Sequence, residues 1–296
     1  MVKRLKFLFT VLLTAVLTIA IVTGCNSQGE APGDSAASPE AGGETLVMAT
    51  SADYPPYEFI DTTSGQQEIQ GFDVDIANYI TNELGYGLEI ANIDFNGLIP
   101  ALQAGRADFV MAGMTPTEER KQNVDFSQIY YEAKNTIVAP SGSNLTDPAS
   151  LSGLQVGVQL GTIQEEAASE IEGANVVPLN RINEIIQELK AGRIDAAIVE
   201  DTVAKGYVEN NPDLEFNTIP SEEAGSAVAF PKGSELVSEF DRVISEMKEN
   251  GELESLVEKW FGQPIPEQPE AEATESPEAT ESPEAAPAEP ETAPPS

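Results

Sequence analysis

The stretch LQAGRADFVMAG at 102–113 returns as LKAGRIDAAIVE at 189–200. Both copies open Leu-x-Ala-Gly-Arg-x-Asp and run into a β-prone segment, so the fold must accommodate one helix–glycine–strand unit twice. Gly105 and Gly192 stand where a helix closes with a left-handed residue, which glycine adopts without steric cost. Around the first copy, Leu46–Thr50 alternates as a strand and enters a Pro-Pro turn. GFDVDIANYITNELG spaces Phe72, Ile76, Ile80 and Leu84 at helical intervals and stops at Gly85. LEIANID then reads as a strand, NGLIPALQAG as a short helix and ADFVMAG as a strand. Around the second copy, QVGVQLG reads as a strand and TIQEEAASEI as a helix. INEIIQELKAG is a helix with Ile182, Ile185, Ile186 and Leu189 on one side, and IDAAIVE is a strand. This alternation predicts an α/β chain of two similar lobes, each a mostly parallel sheet with helices on both faces. A length of 296 residues suits two ordinary domains.

The ends do not belong to that plan. Lys3, Arg4 and Lys6 precede an apolar run from Phe7 to Val22, the pattern of a secretory leader, and Val22-Thr23-Gly24-Cys25 resembles a bacterial lipobox. The expectation is a signal peptide over 1–24 and a lipidated Cys25, which tethers an exported protein to the outer side of the cell membrane. Cys25 is the single cysteine, so no intramolecular disulfide is available. Residues 26–44 are Gly, Ser, Ala, Pro and acids, the composition of a flexible tether. From Pro264 to the C-terminus the chain is rich in Glu and Pro with no basic residue, which reads as an extended, disordered acidic tail.

Composition removes whole classes of function. A formal charge of −35 repels a phosphate backbone, which excludes nucleic acid as a partner. The absence of histidine removes Ser-His-Asp and Cys-His catalysis and most zinc chemistry. No metal or cofactor is called for.

What sits at the C-terminal ends of the strands, where open α/β sheets bind ligands, is more specific. Thr115-Pro-Thr-Glu118 and Thr162-Ile-Gln-Glu165 both read as capping boxes, offering two helix N-termini to an anion. Arg120, in the first turn after the first box, adds a planar fork suited to a carboxylate. Asp201, in N-cap position after IDAAIVE, supplies an acid from the second lobe. Facing Arg120 it would form the second pole of a zwitterion site, and a carboxylate receptor with an ammonium receptor describes an α-amino acid. Tyr54, in the turn after the first strand, and Phe95, after LEIANID, project toward the same cleft.

Together SADYPPYEF, GFDVDIA, DFNGLIPALQAGRADFVMAGMTPTEER, DFSQIYY, VGVQLGTIQEE and EKWFG resemble the polar amino-acid-binding proteins, solute-binding family 3, of bacterial ABC importers. The resemblance spans 45–263 and implies a periplasmic-binding-protein type II fold, two α/β lobes on a two-strand hinge closing over the ligand. It implies crossings near Glu132–Val138 and Gly225–Phe230, with 45–133 plus 227–263 as one lobe and 134–226 as the other. Carried over by position, Arg120 grips the α-carboxylate with Thr115 and Thr162, and Asp201 takes the α-ammonium with the Gly113 carbonyl. Tyr54 and Phe95 sandwich the aliphatic part, and Ser51, Gln159, Gln164 and Glu200 choose the side chain. The place of Ser51 is often an acid in relatives specific for basic or amide ligands. Glu200 and the overall acidity lean toward basic or polar amino acids. The implied partners are a free amino acid and a membrane permease, with the binding protein a monomer and not an enzyme. Two alternatives stay open: a cyclohexadienyl-dehydratase-like enzyme using Glu200 for proton transfer, and a ligand-sensing receptor component.

Overall fold

The computed structural model describes residues 43–63, 65–220 and 224–262. The leader, Cys25, nearly all of the tether and the tail from Pro264 lie outside the described residues. No helix among the described residues is long and apolar enough to cross a membrane.

Two five-stranded sheets share one plan. The first runs in the order Gly87–Asn92, Thr45–Thr50, Phe109–Val110, Ala229–Pro231, Val124–Phe126. The second runs Asn175–Leu179, Gln155–Gln159, Ala196–Glu200, Asn135–Pro140, Leu214–Thr218. In each, the three strands of the α/β alternation are parallel, and the next strand in the order is antiparallel. That odd strand, Asn135–Pro140 in one sheet and Ala229–Pro231 in the other, is the one entering from the opposite lobe. It arrives from the side where the parallel strands end, so it has to run against them. The crossing itself is a two-stranded ladder, Tyr131–Ala133 paired with Ala224–Ser226, at the leading edge of the windows expected from sequence.

Helices cover the sheets with the predicted faces inward. Phe72–Leu84 buries Phe72, Ile76 and Ile80 and ends at Gly85 in the left-handed region. Ile182–Lys190 buries Ile182, Ile185, Ile186 and Leu189. Two further helices, Leu236–Asn250 and Glu252–Phe261, close the first lobe. They bring Phe261 onto Tyr131 of the crossing (ring centroids 4.5 Å) and edge-on to Tyr57 and Phe72.

The doubled phrase performs one structural task twice. Gly105 and Gly192 adopt φ of +66° and +67°, and the following arginine N–H reaches back to the carbonyl of Ala101 or Glu188, closing each helix in the same way. The aspartate that follows pins the neighbouring strand. Asp108 donates its N–H to the Val47 carbonyl (2.9 Å) and accepts the Val47 N–H on its carboxylate (2.7 Å). Asp195 does the same to Gln155, with 2.8 Å for both bonds. Asp108 is partly shielded and Asp195 exposed, and water competes for the second contact. Asp108→Ala should therefore lower stability by about 1–2 kcal/mol and Asp195→Ala by less, as charge-assisted bonds lose value in solvent. Urea denaturation of the two variants checks the order.

Candidate functional site

The strand ends of both sheets face one narrow cavity in the cleft. Its wall contains Ser51, Tyr54, Phe95, Gly113, Thr115, Arg120, Gln159, Thr162, Gln164 and Glu200, ten of the eleven residues expected from sequence. Asp201 is not among them. Its carboxylate accepts the N–H groups of Thr202 (2.9 Å) and Lys134 (3.3 Å), and its own N–H donates to the Lys134 carbonyl. The N-cap of the Asp201–Asn210 helix is Glu200, not Asp201. Successive residues leaving an extended strand point to opposite sides, so only Glu200 enters the cavity.

The caps also differ from the expectation. The helix after the first lobe's cleft loop is short, Glu118–Asn123, and its N-cap is Thr117, whose hydroxyl accepts the Arg120 N–H at 3.2 Å. Thr115 stays outside the helix, and its carbonyl accepts from Arg120 Nη1 at 2.8 Å. Thr162 does cap its helix, accepting the Glu165 N–H at 3.3 Å. The Glu165 carboxylate, however, reaches past the cap to the Gly161 N–H.

Arg120 crosses the cleft. Its Nη2 donates to the Gly161 carbonyl of the second lobe (2.9 Å), and the guanidinium lies 5.3 Å from the Phe95 ring centroid. Burial lowers its pKa, with the charges of Glu166 and Glu119 acting the other way, and a guanidinium stays charged. Gly113 marks a close approach. Its φ is +57°, and a Cβ there would stand 3.3 Å from the Tyr54 ring, so any larger residue would displace the cavity's aromatic wall.

The opposite pole is carboxylate. Tyr57, fully buried in the first lobe, donates its hydroxyl to Glu200 at 2.6 Å. Thr202 donates to the same oxygen, and Tyr54 stands 3.4 Å from the other. Burial pushes the Glu200 carboxyl up to about 7, against the lowering effect of the Thr202 and Tyr57 hydroxyls. Glu58, unforeseen in the sequence, lines the same cavity, is fully buried, and receives no hydrogen bond on either oxygen. Burial and the neighbouring charge of Asp73 raise its pKa well above the carboxylate range. Asp73 accepts from the Gly113 N–H (2.9 Å) and the Tyr130 hydroxyl (2.8 Å) on one oxygen, and burial brings its pKa to about 7. A proton held between Glu58 and Asp73 relieves the repulsion of two buried carboxylates. Glu58 lies in a strand-like run, Tyr-Glu-Phe-Ile, that reads as alternating faces. Asp73 reads as an ordinary first-turn acid of a helix. No local signal marked either one. Ser226 and Ala224 of the crossing and Ala112 and Ile163 complete the wall.

Two α/β lobes joined by a paired-strand crossing, with a cavity walled by both, define a clamshell binding protein. Residues 46–263 match the model of bacterial extracellular solute-binding proteins, family 3, and the chain belongs to that family. The chain is 44% identical over 256 residues to the arginine-binding extracellular protein ArtP of Bacillus subtilis, covering 84% of this chain and 96% of that protein. A crystal structure of the substrate-binding protein of an amino acid ABC transporter is 47% identical with a TM-score of 0.72, over 74% of this chain and 100% of that one. The Streptococcus pneumoniae substrate-binding protein AbpA bound to L-arginine is 36% identical with a TM-score of 0.71, over 75% of this chain and 97% of that one.

The buried carboxylates in and around the cavity give the protein a pH signature. Asp53 near 6 and Asp73 and Glu200 near 7 all sit above their unfolded values. The folded chain therefore holds protons that the unfolded chain releases. Stability from these groups is complete below the ordinary carboxylate range and is lost as pH rises through 6 and 7. The melting temperature of the ligand-free protein should fall between pH 5 and 8, and Glu200→Gln should flatten that slope. Calorimetric scans across the range check both.

Proposed function

We propose that this chain binds a free basic amino acid, L-arginine foremost, and presents it to an ABC permease. The observation that carries the reading is the charge layout of the cavity: Arg120 is the one cation in its described wall, and Glu200 and Glu58 are the acids. In this reading Arg120 receives the α-carboxylate, aided by the hydroxyls of Thr115 and Thr162. Glu200 receives the α-ammonium with the Gly113 carbonyl, a role the sequence alone suggested for Asp201. Tyr54 and Phe95 flank the methylene chain. Ser51, Gln159, Gln164 and Glu58 meet the side chain, and Glu58 supplies the acid that Ser51 does not. The arginine named for ArtP and AbpA supports the choice.

Members of the family are extracellular proteins. We further propose that the leader is removed and that lipidated Cys25 holds the protein, as a monomer, to the outer face of the membrane. The division into 45–133 plus 227–263 and 134–226 belongs to the same proposal. Cys25→Ala should release the protein into the medium, as fractionation would show.

The enzyme alternative, in which Glu200 transfers a proton, is not favoured by the relatives, which are binding proteins. Turnover of prephenate or arogenate by the purified protein would establish that reading in place of transport.

Isothermal titration calorimetry tests the primary one. L-Arginine should bind, and the apparent enthalpy should vary with the buffer's ionisation enthalpy because a cationic guest expels protons from Glu58 and Glu200. Arg120→Ala should weaken every amino acid by roughly 100-fold or more, as truncating one partner of a buried charge pair does. Glu58→Gln should weaken arginine by about tenfold and leave glutamine within about threefold, since only the charged interaction is lost. Equal losses for both amino acids would remove Glu58 from side-chain recognition.

A further inference from the structure

Asp53 does not line the cavity, yet it is 3% exposed and its contacts cross the cleft. It sits in the two-residue strand Asp53–Tyr54 of the first lobe. One carboxylate oxygen accepts the backbone N–H of Ile182 in the second lobe at 2.7 Å, and the side-chain amide of Gln159 lies 3.4 Å from the same oxygen. The other oxygen accepts the Ser51 hydroxyl at 2.8 Å. Ile182 opens the nine-residue Ile182–Lys190 helix. Its N–H is one of those a helix cannot satisfy internally, and it lies at the positive end of the helix dipole. Two further bonds flank this contact. The Tyr207 hydroxyl donates to the Asp53 carbonyl at 3.3 Å, and Arg181, the N-cap residue of the same helix, pairs with Asp94 at 2.6 Å. Within its own lobe Asp53 has only the Ser51 hydroxyl as a side-chain donor among these bonds. Its burial is therefore compensated by the second lobe.

We infer that Asp53 is a closure latch: its carboxylate, docked on the first N–H of the Ile182–Lys190 helix, holds the two lobes together without touching the guest. The inference rests on the binding function proposed above, because its main effect is on how long a guest stays. A guest enters the parted lobes before Asp53 reaches Ile182, and it leaves only after that contact breaks. The latch thus belongs to the dissociation rate. Through Ser51 and Gln159 the same carboxylate also fixes one wall residue from each lobe, so closing and shaping the cavity are a single event.

Stopped-flow fluorescence with L-arginine separates the two rates. Asp53→Ala should raise koff by about tenfold or more, the scale of losing a charge-assisted bond, and leave kon within about twofold. Asp53→Asn keeps an oxygen for the Ile182 N–H and should fall between the wild type and Asp53→Ala, with far-UV circular dichroism showing that both variants fold. An unchanged koff, or a loss confined to kon, overturns the latch. If the wild type binds no amino acid, the proposed function fails separately. The latch is then judged by hydrogen exchange at the Ile182 amide, which has no partner within its own helix. Slower exchange in wild type than in Asp53→Ala supports it, and equal exchange overturns it.

Discussion

The site depends on a carboxylate kept dry between two lobes. Glu200 ends a strand of the second lobe, but the hydroxyl that holds it at 2.6 Å comes from Tyr57 of the first. A buried anion without a counter-charge is costly, and the group answers by taking a proton or a cation. With a pKa near 7 it stands at the boundary between those answers. Glu58 and Asp73 extend the same condition deeper into the first lobe, where a proton stands in for the cation. The cavity wall thus sets an acidic end, Glu200 and Glu58, against Arg120 at the other pole. Tyr57 is held in turn by Phe72, Tyr131 and Phe261, so the terminal helix and the crossing strand both bear on the orientation of Glu200.

The lobes repeat one another because the same units solve the same problem twice. A helix closes at a left-handed glycine, and an aspartate three residues on clasps the N–H and C=O of the strand beside it. The result is two sheets whose parallel strands end at the cleft. Functional groups gather there for a geometric reason: side chains and helix N-termini follow the carboxyl ends of parallel strands. The antiparallel strand in each sheet carries the chain across and leaves those ends open to one another.

Much of this was legible in the sequence, and the part that was not has a physical cause. Hydrophobic spacing gave the faces of Phe72–Leu84 and Ile182–Lys190, and the strand ends pointed to Tyr54, Phe95 and Arg120, whereas Ser51 and Gln159 came from the family resemblance. The choice between Glu200 and Asp201 turned on a single residue of register at a strand-to-helix junction, which composition does not encode. Thr117 displaced Thr115 as a cap because both occupy a plausible position beside Pro116. Glu58, Asp73 and Asp53 escaped notice because acids in short strands and first helical turns usually face water. Asp73 packs against Gly113 and Tyr130 and Asp53 against Ile182, contacts that span 40 to 129 residues, and Glu58 is buried beside Asp73.

The central claim is that the two poles converge on one dipolar guest, and a crystal structure of the protein grown with L-arginine tests it most directly. The account predicts the guest's carboxylate within hydrogen-bond reach of Arg120 and its α-ammonium against Glu200, with the guanidinium directed to Glu58. Arginine lying outside the cavity, or bound with its ends reversed, would contradict it.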